Sequence, residues 1–266
     1  MDNVALVLAV NAALLATGFL VLWRVAQRLG DVSFIDAAWA LGMVGLALAT
    51  FVQAGTADPR DVLLVGLCAL WGLRLGLHLL TRWRRLGPDP RYVTLVGDVQ
   101  RERGWSFGRA SALFVFAPQA LFLFLVCLPV QLGQLGEAPL GPVAMAGGAL
   151  CLAGITFEAI GDAQLARFRA DPANQGRVLD TGLWRYTRHP NYFGDACAWW
   201  GLYLLACGAP LGVWALPGPL FLTWTLTRWS GAALLESRLK DSRPAYADYV
   251  ARTSGFIPWP PRRRLG

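Results

Sequence analysis

Long apolar segments alternate with short polar connections along most of the chain. A helix that crosses a membrane needs roughly 20 mainly apolar residues, and several stretches meet or approach this length. The pattern predicts an all-α polytopic membrane protein with about seven transmembrane helices, near residues 4–23, 34–52, 62–80, 110–130, 142–160, 195–209 and 211–228. Only Cys207 to Pro210 separate the last two segments, so these are expected to form a helical hairpin. No basic leader precedes the first segment, and we expect no cleavable signal peptide.

The arginines indicate which connections face the cytoplasm, because short cytoplasmic loops of membrane proteins are enriched in Lys and Arg. Most arginines follow the first predicted helix, lie between the third and fourth or the fifth and sixth, or belong to the C-terminal tail. The intervening connections are poor in them: residues 53–61 hold one Arg and residues 131–141 hold none. This alternation predicts an N-terminus outside the cell and a cytoplasmic C-terminus.

The composition supports the same class of protein. Hydrophobic residues make up 55% of the 266 residues and charged residues 15%, which is too apolar for a soluble domain. The net charge of +7 does not indicate nucleic-acid binding, because topology alone requires cations at helix ends. Five cysteines without paired spacing, and only His78 and His189 as histidines, predict neither disulfides nor a metal centre. We expect residues 1–266 to form a single integral membrane domain.

A polar stripe follows one face of the fifth predicted helix. Glu158, Asp162, Leu165 and Arg169 recur at i, i+4, i+7 and i+11, which places them on the same side of a helix. Two carboxylates one turn apart repel each other, so they require a shared partner such as a ribose, an amide or a nearby Arg. A solvated helix end is an equally acceptable interpretation of the stripe.

The segment from Arg188 to Asp195 concentrates polar groups at the start of the sixth predicted helix. It contains a cation, an imidazole, an amide, a phenol and a carboxylate, contributed by Arg188, His189, Asn191, Tyr192 and Asp195. A carboxylate near or within a membrane helix is costly and is a candidate functional group. Stabilisation by the helix N-terminal dipole would explain Asp195 alone, but not its polar neighbours. The segment therefore predicts a cofactor site.

Two further polar positions fall in the N-terminal half. Asp36 begins the second predicted helix and is the carboxylate in this half that is placed to protonate a buried substrate. Arg74 lies inside the third predicted helix, one turn before His78. We interpret Arg74 as a structural partner of another residue, for instance Asp36, rather than as a catalytic group.

From about Glu158 onward the sequence resembles the bacterial uncharacterised-domain branch of the steroid 5α-reductase superfamily. The resemblance rests on the signature Gly182-Leu-Trp-Arg-Tyr-Thr-Arg-His-Pro-Asn-Tyr-Phe-Gly-Asp195, which is similar to the family's C-terminal motif. It implies a multi-helix enzyme of lipid metabolism in the bacterial inner (cytoplasmic) membrane. Such enzymes use NADPH to saturate a carbon–carbon double bond conjugated to a carbonyl, or a sterol double bond.

The resemblance also implies roles for individual residues. The positions that match or adjoin the family's NADPH-binding residues are Asp162, Arg169, Arg185, Arg188, His189, Asn191, Asp195 and Arg228. Arg74 and Arg85 can be aligned with arginines in and after the family's third helix. The nicotinamide is expected near Asn191, Tyr192 and Asp195. Tyr192 is therefore a candidate catalytic residue, together with Asp36 as proton donor or carbonyl orienter.

One departure from the family bears on the substrate. Steroid 5α-reductases pair a Glu of the second helix with a Tyr of the third, whereas here Asp36 replaces the Glu and Trp71 aligns with the Tyr. An indole donates a hydrogen bond but is not a useful proton source, so Tyr92 or Tyr186 is an alternative partner. The expected substrate is an apolar lipid, steroid-like or isoprenoid enone.

A second resemblance gives an alternative function. Arg188-His189-Pro190 with Tyr192 and Gly194, then Glu236, Tyr246 and Tyr249, is also similar to isoprenylcysteine carboxyl methyltransferases, which use S-adenosylmethionine. Asp162 with Arg169, Asn191 with Asp195 and the surplus of arginines favour a phosphate-bearing cofactor, and thus NADPH. A lipid carrier without enzymatic activity is the third hypothesis, and it leaves the polar stripes unexplained.

The two halves of the chain are expected to have different tasks. Residues 1–130 would shape the substrate pocket, and residues 142–266 would bind the cofactor. The tail around Tyr246, Tyr249, Phe256 and Trp259 is expected to fold back as a cap over the cofactor, with simple anchoring at the membrane surface as the alternative.

Overall fold

The computed structural model of the protein describes residues 2–55, 58–229 and 245–262. Within these ranges every regular element is a helix. The longer helices are α1 (Asp2–Leu29), α2 (Ile35–Ala54), α3 (Pro59–Leu86), α4 (Pro90–Arg103), α8 (Pro142–Ala170) and α9 (Pro190–Ala206). The shorter ones are α5 (Phe107–Ser111), α6 (Ala117–Val126), α7 (Leu128–Leu132), α10 (Pro217–Trp224) and α11 (Ala245–Arg252).

Within the described ranges, five helical segments are long and apolar enough to cross a membrane. They are Asn3–Leu29, Ile35–Ala54, Pro59–Leu86, Phe107–Val126 and Pro142–Ala170. The fourth joins α5 to α6 through a π-helical turn at Ala112–Phe116. These five confirm the first five predicted spans, with boundaries that differ by up to ten residues.

The predicted sixth and seventh spans are shorter elements in the structure. α9 has 17 residues, and the seventh segment is divided into a 3₁₀ turn (Gly212–Ala215), α10 and a π-helical turn (Thr225–Trp229). The tight connection after α9 is present as a run of turns from Cys207 onward. Five spans are therefore supported by length and composition, and the count of seven stays a prediction.

Local sequence signals explain how the chain crosses the end of the bundle between α3 and α4. Gly87 ends α3 with a positive φ of 75°, and its N–H bonds to the Trp83 carbonyl. Asp89 then caps α4 by accepting a hydrogen bond from the Arg91 N–H, with Pro90 in the first turn. An Asp cap followed by Pro is a strong helix start. α4 thus begins beside the start of α2, at the end of the bundle where α9 also begins.

Glycines bring α8 and α9 into direct backbone contact. Gly147 and Gly154 on α8 face Gly201 and Gly194 on α9. A Cβ at Gly154 would lie 2.5 Å from the Ala198 nitrogen and 2.5 Å from the Gly194 oxygen, so neither helix tolerates a side chain at this contact. Small residues are the usual means of close helix association in membranes. The sequence analysis did not identify this contact, which fixes how the polar faces of α8 and α9 meet.

Aromatic rings fill the bundle below these polar faces. Trp71 of α3 is fully buried, and its ring packs edge-to-face against Trp199 at 5.1 Å and Trp39 at 6.5 Å. At the other end of the bundle, the Asn11 amide donates hydrogen bonds to Thr50 at 2.8 Å and Gln131 at 2.9 Å. Such bonds between helices hold α1, α2 and α7 together without requiring an apolar driving force.

Candidate functional site

A cavity of about 670 Å³ opens at the end of the bundle where α3 and α8 end and α9 begins. We call this the cavity end. The lining includes charged and polar side chains from α3, α4, α8 and α9, among them Arg82, Arg91, Arg169, Arg188, Asn191 and Tyr192. Asp89 and Asp171 are the acidic members, so the lining carries an excess of positive charge. Arg82 and Arg91 come from the half that was expected to bind substrate, so both halves contribute to the cavity.

The first turn of α9 forms one wall of the cavity. His189 precedes the helix and its ring stacks on Tyr192, with centroids 5.3 Å apart and planes 5° from parallel. The Asn191 amide donates to Asp162 Oδ1 at 3.2 Å. Pro190 fixes the start of the helix, so these three side chains are held in a defined geometry. The structure therefore brings together His189, Asn191 and Tyr192 as predicted.

Beneath this wall, Arg74 joins the two carboxylates of the α8 stripe. It donates to Asp162 Oδ2 at 2.7 Å and forms an ion pair with Glu158. The shared partner that the stripe requires is thus a nearby Arg, which was one of the alternatives. The prediction that Arg74 pairs with Asp36 is wrong, because the close α8–α9 packing presents Glu158 and Asp162 to α3 while Asp36 turns toward α4.

Asp162 and Asp195 lie behind the cavity wall rather than in it. Asp162 is buried, and its two oxygens accept hydrogen bonds from Arg74 and Asn191. Asp195 is 7% exposed, and its Oδ1 accepts no hydrogen bond from any residue that the structure describes. Of these two carboxylates, Asp162 orients a group of the wall directly, through its hydrogen bond from Asn191.

A second polar cluster forms where α2 meets α4. The Tyr92 hydroxyl donates to Asp36 Oδ1 at 2.5 Å, and Arg91 donates to Asp36 Oδ2 at 2.9 Å. The Gln119 amide donates to the Tyr92 oxygen at 3.2 Å. Of the partners considered for Asp36, the structure selects Tyr92. Trp71 is packed in the aromatic core, and Tyr186 is exposed on the loop before α9.

The charges of this cluster shift two pKa values outside the spanning helices. Burial alone would raise the pKa of Asp89. The hydrogen bonds and ion pair with Arg91 outweigh the effect of burial, so the pKa of Asp89 is lowered. Burial, followed by the negative charge of Asp36, raises the pKa of Tyr92 well above its usual value. Tyr92 therefore stays protonated at neutral pH, and Asp36 accepts its O–H.

The C-terminal segment folds back over the cavity. The Tyr249 hydroxyl donates to the Trp184 carbonyl at 2.6 Å, and both Tyr246 and Tyr249 line the cavity. Arg188 Nη1 donates to the Thr253 carbonyl at 2.7 Å and the Val250 carbonyl at 3.2 Å. The segment thus folds back as predicted, and its role as a cap over a cofactor stays a prediction. Arg188, expected to bind cofactor, also fastens the cap to the loop before α9.

Two predicted site residues lie away from the cavity. Arg185 is exposed and lines a separate groove with Arg252 and Arg262. Arg228 is exposed in the π-helical turn that follows α10 and does not line the cavity. Glu236 lies outside the described residues. The sequence analysis missed Arg82 and Arg91, although the Asp89-Pro90 helix start would have placed Arg91 in a first helical turn.

Comparison with other proteins gives a family but no activity. The family model described as a protein of unknown function (DUF1295) matches residues 22–253. The chain is 23% identical over 272 residues to uncharacterized protein C594.04c of Schizosaccharomyces pombe, an alignment that covers 90% of this chain and 76% of the yeast protein. No solved structure matches the chain.

Proposed function

Because the chain belongs to the DUF1295 family, within the steroid 5α-reductase-like superfamily, we propose that it is an NADPH-dependent membrane reductase. It saturates a carbon–carbon double bond of an apolar lipid, steroid-like or isoprenoid enone. The observation that carries this proposal is the arginine-lined cavity beside the Asp36–Tyr92 pair. The cavity supplies a site for an anionic cofactor, and the pair supplies a proton donor.

The lining of the cavity fits a dinucleotide that carries several phosphates. Guanidinium groups bind phosphate oxygens in a bidentate manner, and Arg82, Arg91, Arg169 and Arg188 surround the space. Its volume of about 670 Å³ falls within the range usual for cofactor pockets. The stacked His189 and Tyr192 and the fixed Asn191 amide provide a flat surface and a polar contact for a planar ring. When bound, NADPH would supply the hydride.

The Asp36–Tyr92 pair supplies the proton that reduction requires. Hydride addition to one alkene carbon leaves negative charge on the conjugated system, and a proton must be added to complete the saturated product. Tyr92 is held by Asp36 and Gln119 and remains protonated at neutral pH. In the structure Asp36 accepts the Tyr92 O–H, so the hydroxyl must turn from Asp36 toward the substrate carbon to transfer its proton. Arg91, which lies beside Asp36 and the Tyr92 ring, compensates the negative charge left on the pair. Asp36 is thus a positioning residue in this proposal, and Tyr92, rather than a residue at the aligned position of Trp71, is the proton source.

Tyr92→Phe is expected to lower the rate of lipid-dependent NADPH oxidation by about 10²- to 10⁴-fold, because the general acid is lost. NADPH affinity should remain unchanged, since the ring of Tyr92 and the Arg91–Asp36 ion pair are retained. Absorbance of NADPH in the presence of a membrane lipid extract measures this rate. The matched control is Tyr186→Phe, which removes an exposed hydroxyl outside the site. Equal rates for the two variants would refute the assignment of Tyr92.

Calorimetry of the detergent-purified protein with NADPH, NADH and S-adenosylmethionine tests the choice of cofactor. We expect NADPH to bind most tightly, and Arg169→Gln to weaken it about tenfold or more through the loss of a phosphate contact. Arg84→Gln, an exposed change at the end of α3 outside the cavity lining, should have no effect. Binding of S-adenosylmethionine alone would replace the reductase with a methyltransferase of the isoprenylcysteine carboxyl type.

The proposal includes an orientation in the membrane. With seven spans, the N-terminus lies outside and the cavity end and C-terminus face the cytoplasm of a bacterial inner membrane, where NADPH is available. The arginines in the last turns of α3 and in the α8–α9 connection support this, because both regions lie at the cavity end. A reporter enzyme that is active only in the cytoplasm should be active when it is fused to the C-terminus, and a reporter that is active only after export should be inactive there. Activity of an exported reporter at that position would contradict the orientation.

A further inference from the structure

A second groove lies on the outer side of the folded-back C-terminal segment, apart from the cavity. Its volume is about 560 Å³, and its lining includes Asp180, Gly182, Arg185, Arg252 and Arg262. The groove joins the turn before α9 to the chain that follows α11. Neither the cofactor site nor the proton donor described above uses these side chains.

The groove holds more positive charge than its own acidic group can neutralise. Arg252 donates to Asp180 at 2.6 Å and to Asp248 at 3.2 Å, so this arginine is paired. Arg185 and Arg262 are exposed, and neither forms an ion pair with any residue in the part of the chain that the structure describes. Arg185 and Arg262 therefore flank a groove in which Asp180, the acidic residue among the described lining, is already paired with Arg252.

Exposed apolar side chains adjoin this positive groove. Ile257 is 65% exposed and Trp259 is 69% exposed. The Trp259 N–H bonds to the Tyr186 carbonyl at 2.9 Å, which holds the segment against the turn that carries Arg185. Exposing both an indole and a branched aliphatic side chain to water is unfavourable, so these two residues require an apolar environment.

Packing places this segment at the depth where α9 begins. The Phe256 ring packs edge-to-face against Phe193 in the first turn of α9, with ring centroids 5.8 Å apart. Phe193 in turn packs edge-to-face against Phe157 of α8, with centroids 5.5 Å apart. This row of rings ties the segment to the side of the bundle at the end of its membrane-crossing helices. Trp and basic residues at that depth meet lipid headgroups. The apolar side chains and the basic groove are thus positioned to contact the same lipid.

We propose that this groove binds the headgroup phosphate of an anionic phospholipid. Arg185 and Arg262 bind the phosphate oxygens, and Ile257 and Trp259 contact the upper part of the acyl chains. An anionic lipid fits the excess of positive charge, which a zwitterionic headgroup would satisfy less well. A free phosphate would use the arginines but would leave Ile257 and Trp259 exposed. The C-terminal segment, whose α11 lines the cavity, is then held down by a specific lipid as well as by Arg188.

Native mass spectrometry of delipidated protein, titrated with phosphatidylglycerol or phosphatidylcholine, tests this proposal. We expect one phosphatidylglycerol to bind in clear preference to phosphatidylcholine. The double variant Arg185→Gln/Arg262→Gln should weaken that binding by at least about tenfold. The control Arg84→Gln/Arg85→Gln removes the same charge from exposed positions at the end of α3 and should bind as the wild type does. Unchanged gel-filtration profiles of both variants exclude misfolding as the cause.

Two further arms separate a lipid from a free phosphate. Ile257→Ser/Trp259→Ser should weaken phosphatidylglycerol binding, because the acyl contact is lost while the arginines remain. Millimolar inorganic phosphate or glycerol phosphate should not displace the lipid from the wild-type protein. Equal binding of phosphatidylglycerol and phosphatidylcholine, or equal weakening in the two arginine variants, would overturn the proposal. Wild-type affinity in the serine variant, or displacement of the lipid by phosphate, would overturn it as well. None of these readouts depends on cofactor binding or on reductase activity.

Discussion

Gly154→Ala is expected to destabilise the protein by about 3 kcal/mol, and Gly154→Leu to prevent folding. The added Cβ would lie 2.5 Å from both the Ala198 nitrogen and the Gly194 oxygen, which are backbone atoms of α9. Neither can move unless the two helices separate along their length. The separation would also pull Asn191 away from Asp162, so NADPH binding should fall together with stability. Thermal unfolding in detergent measures the first effect, and calorimetry the second.

The matched control for this change is Gly66→Ala. Gly66 also lies inside a long helix, but a Cβ there would meet nothing within 4 Å. Replacing a helical glycine by alanine favours the helix by up to about 1 kcal/mol, so this variant should be as stable as the wild type or more so. If the two alanine variants unfold at the same temperature, the α8–α9 contact does not organise the fold as described.

Removing Arg74 is also expected to destabilise the protein strongly. Arg74→Met leaves Glu158 and Asp162 buried without their cation, which in other proteins costs about 3–5 kcal/mol. Arg74→Met/Glu158→Gln/Asp162→Asn removes the charges together and should recover most of that loss, because neutral amides can hydrogen-bond to each other. Unfolding midpoints of the two variants, measured in the same detergent, give the comparison. A triple variant no more stable than the single variant would show that the ion pairs are not the source of the effect.

The apolar pattern was sufficient to predict the five long spans, because each contains a window of high mean hydropathy, even where a charged residue such as Arg74 lies within the helix. It was less informative after Gly194. α9 ends at Ala206, Pro210 follows in the turn, and Pro217 begins the short helix α10, so the chain after α9 consists of short elements. Hydrophobicity alone does not reveal such interruptions, since a broken and a continuous segment have the same mean hydropathy.

The faces of the helices could be predicted, but their neighbours could not. Spacing places Glu158 and Asp162 on one side of α8, and the structure has them there. Their partner depends on the rotation of α8 against α3 and α9, which backbone contact at Gly154 and Gly194 sets. Periodicity carries no information about that rotation, so the sequence predicted a structural role for Arg74 but named Asp36 as its example of a partner.

The pairing of Asp36 with Tyr92 depends on the path of the chain rather than on a pattern. Tyr92 lies 56 residues from Asp36, on a helix too polar to be identified as a span. Gly87 and the Asp89-Pro90 start turn α4 back across the bundle, and this turn brings the phenol to the carboxylate. The position of Trp71 in the aromatic core excludes it from this role, which alignment by helix number could not show.

Transfer of a labelled hydride tests the central claim most directly. Purified protein would be incubated with a membrane lipid extract and NADPH that carries deuterium at both C4 positions of the nicotinamide, and the lipids then analysed by mass spectrometry. The account predicts that one class of unsaturated lipid gains a deuterium on carbon together with a solvent-derived hydrogen, and that Tyr92→Phe slows this gain. Lipids that take up no deuterium but gain a methyl group when S-adenosylmethionine is supplied would contradict it.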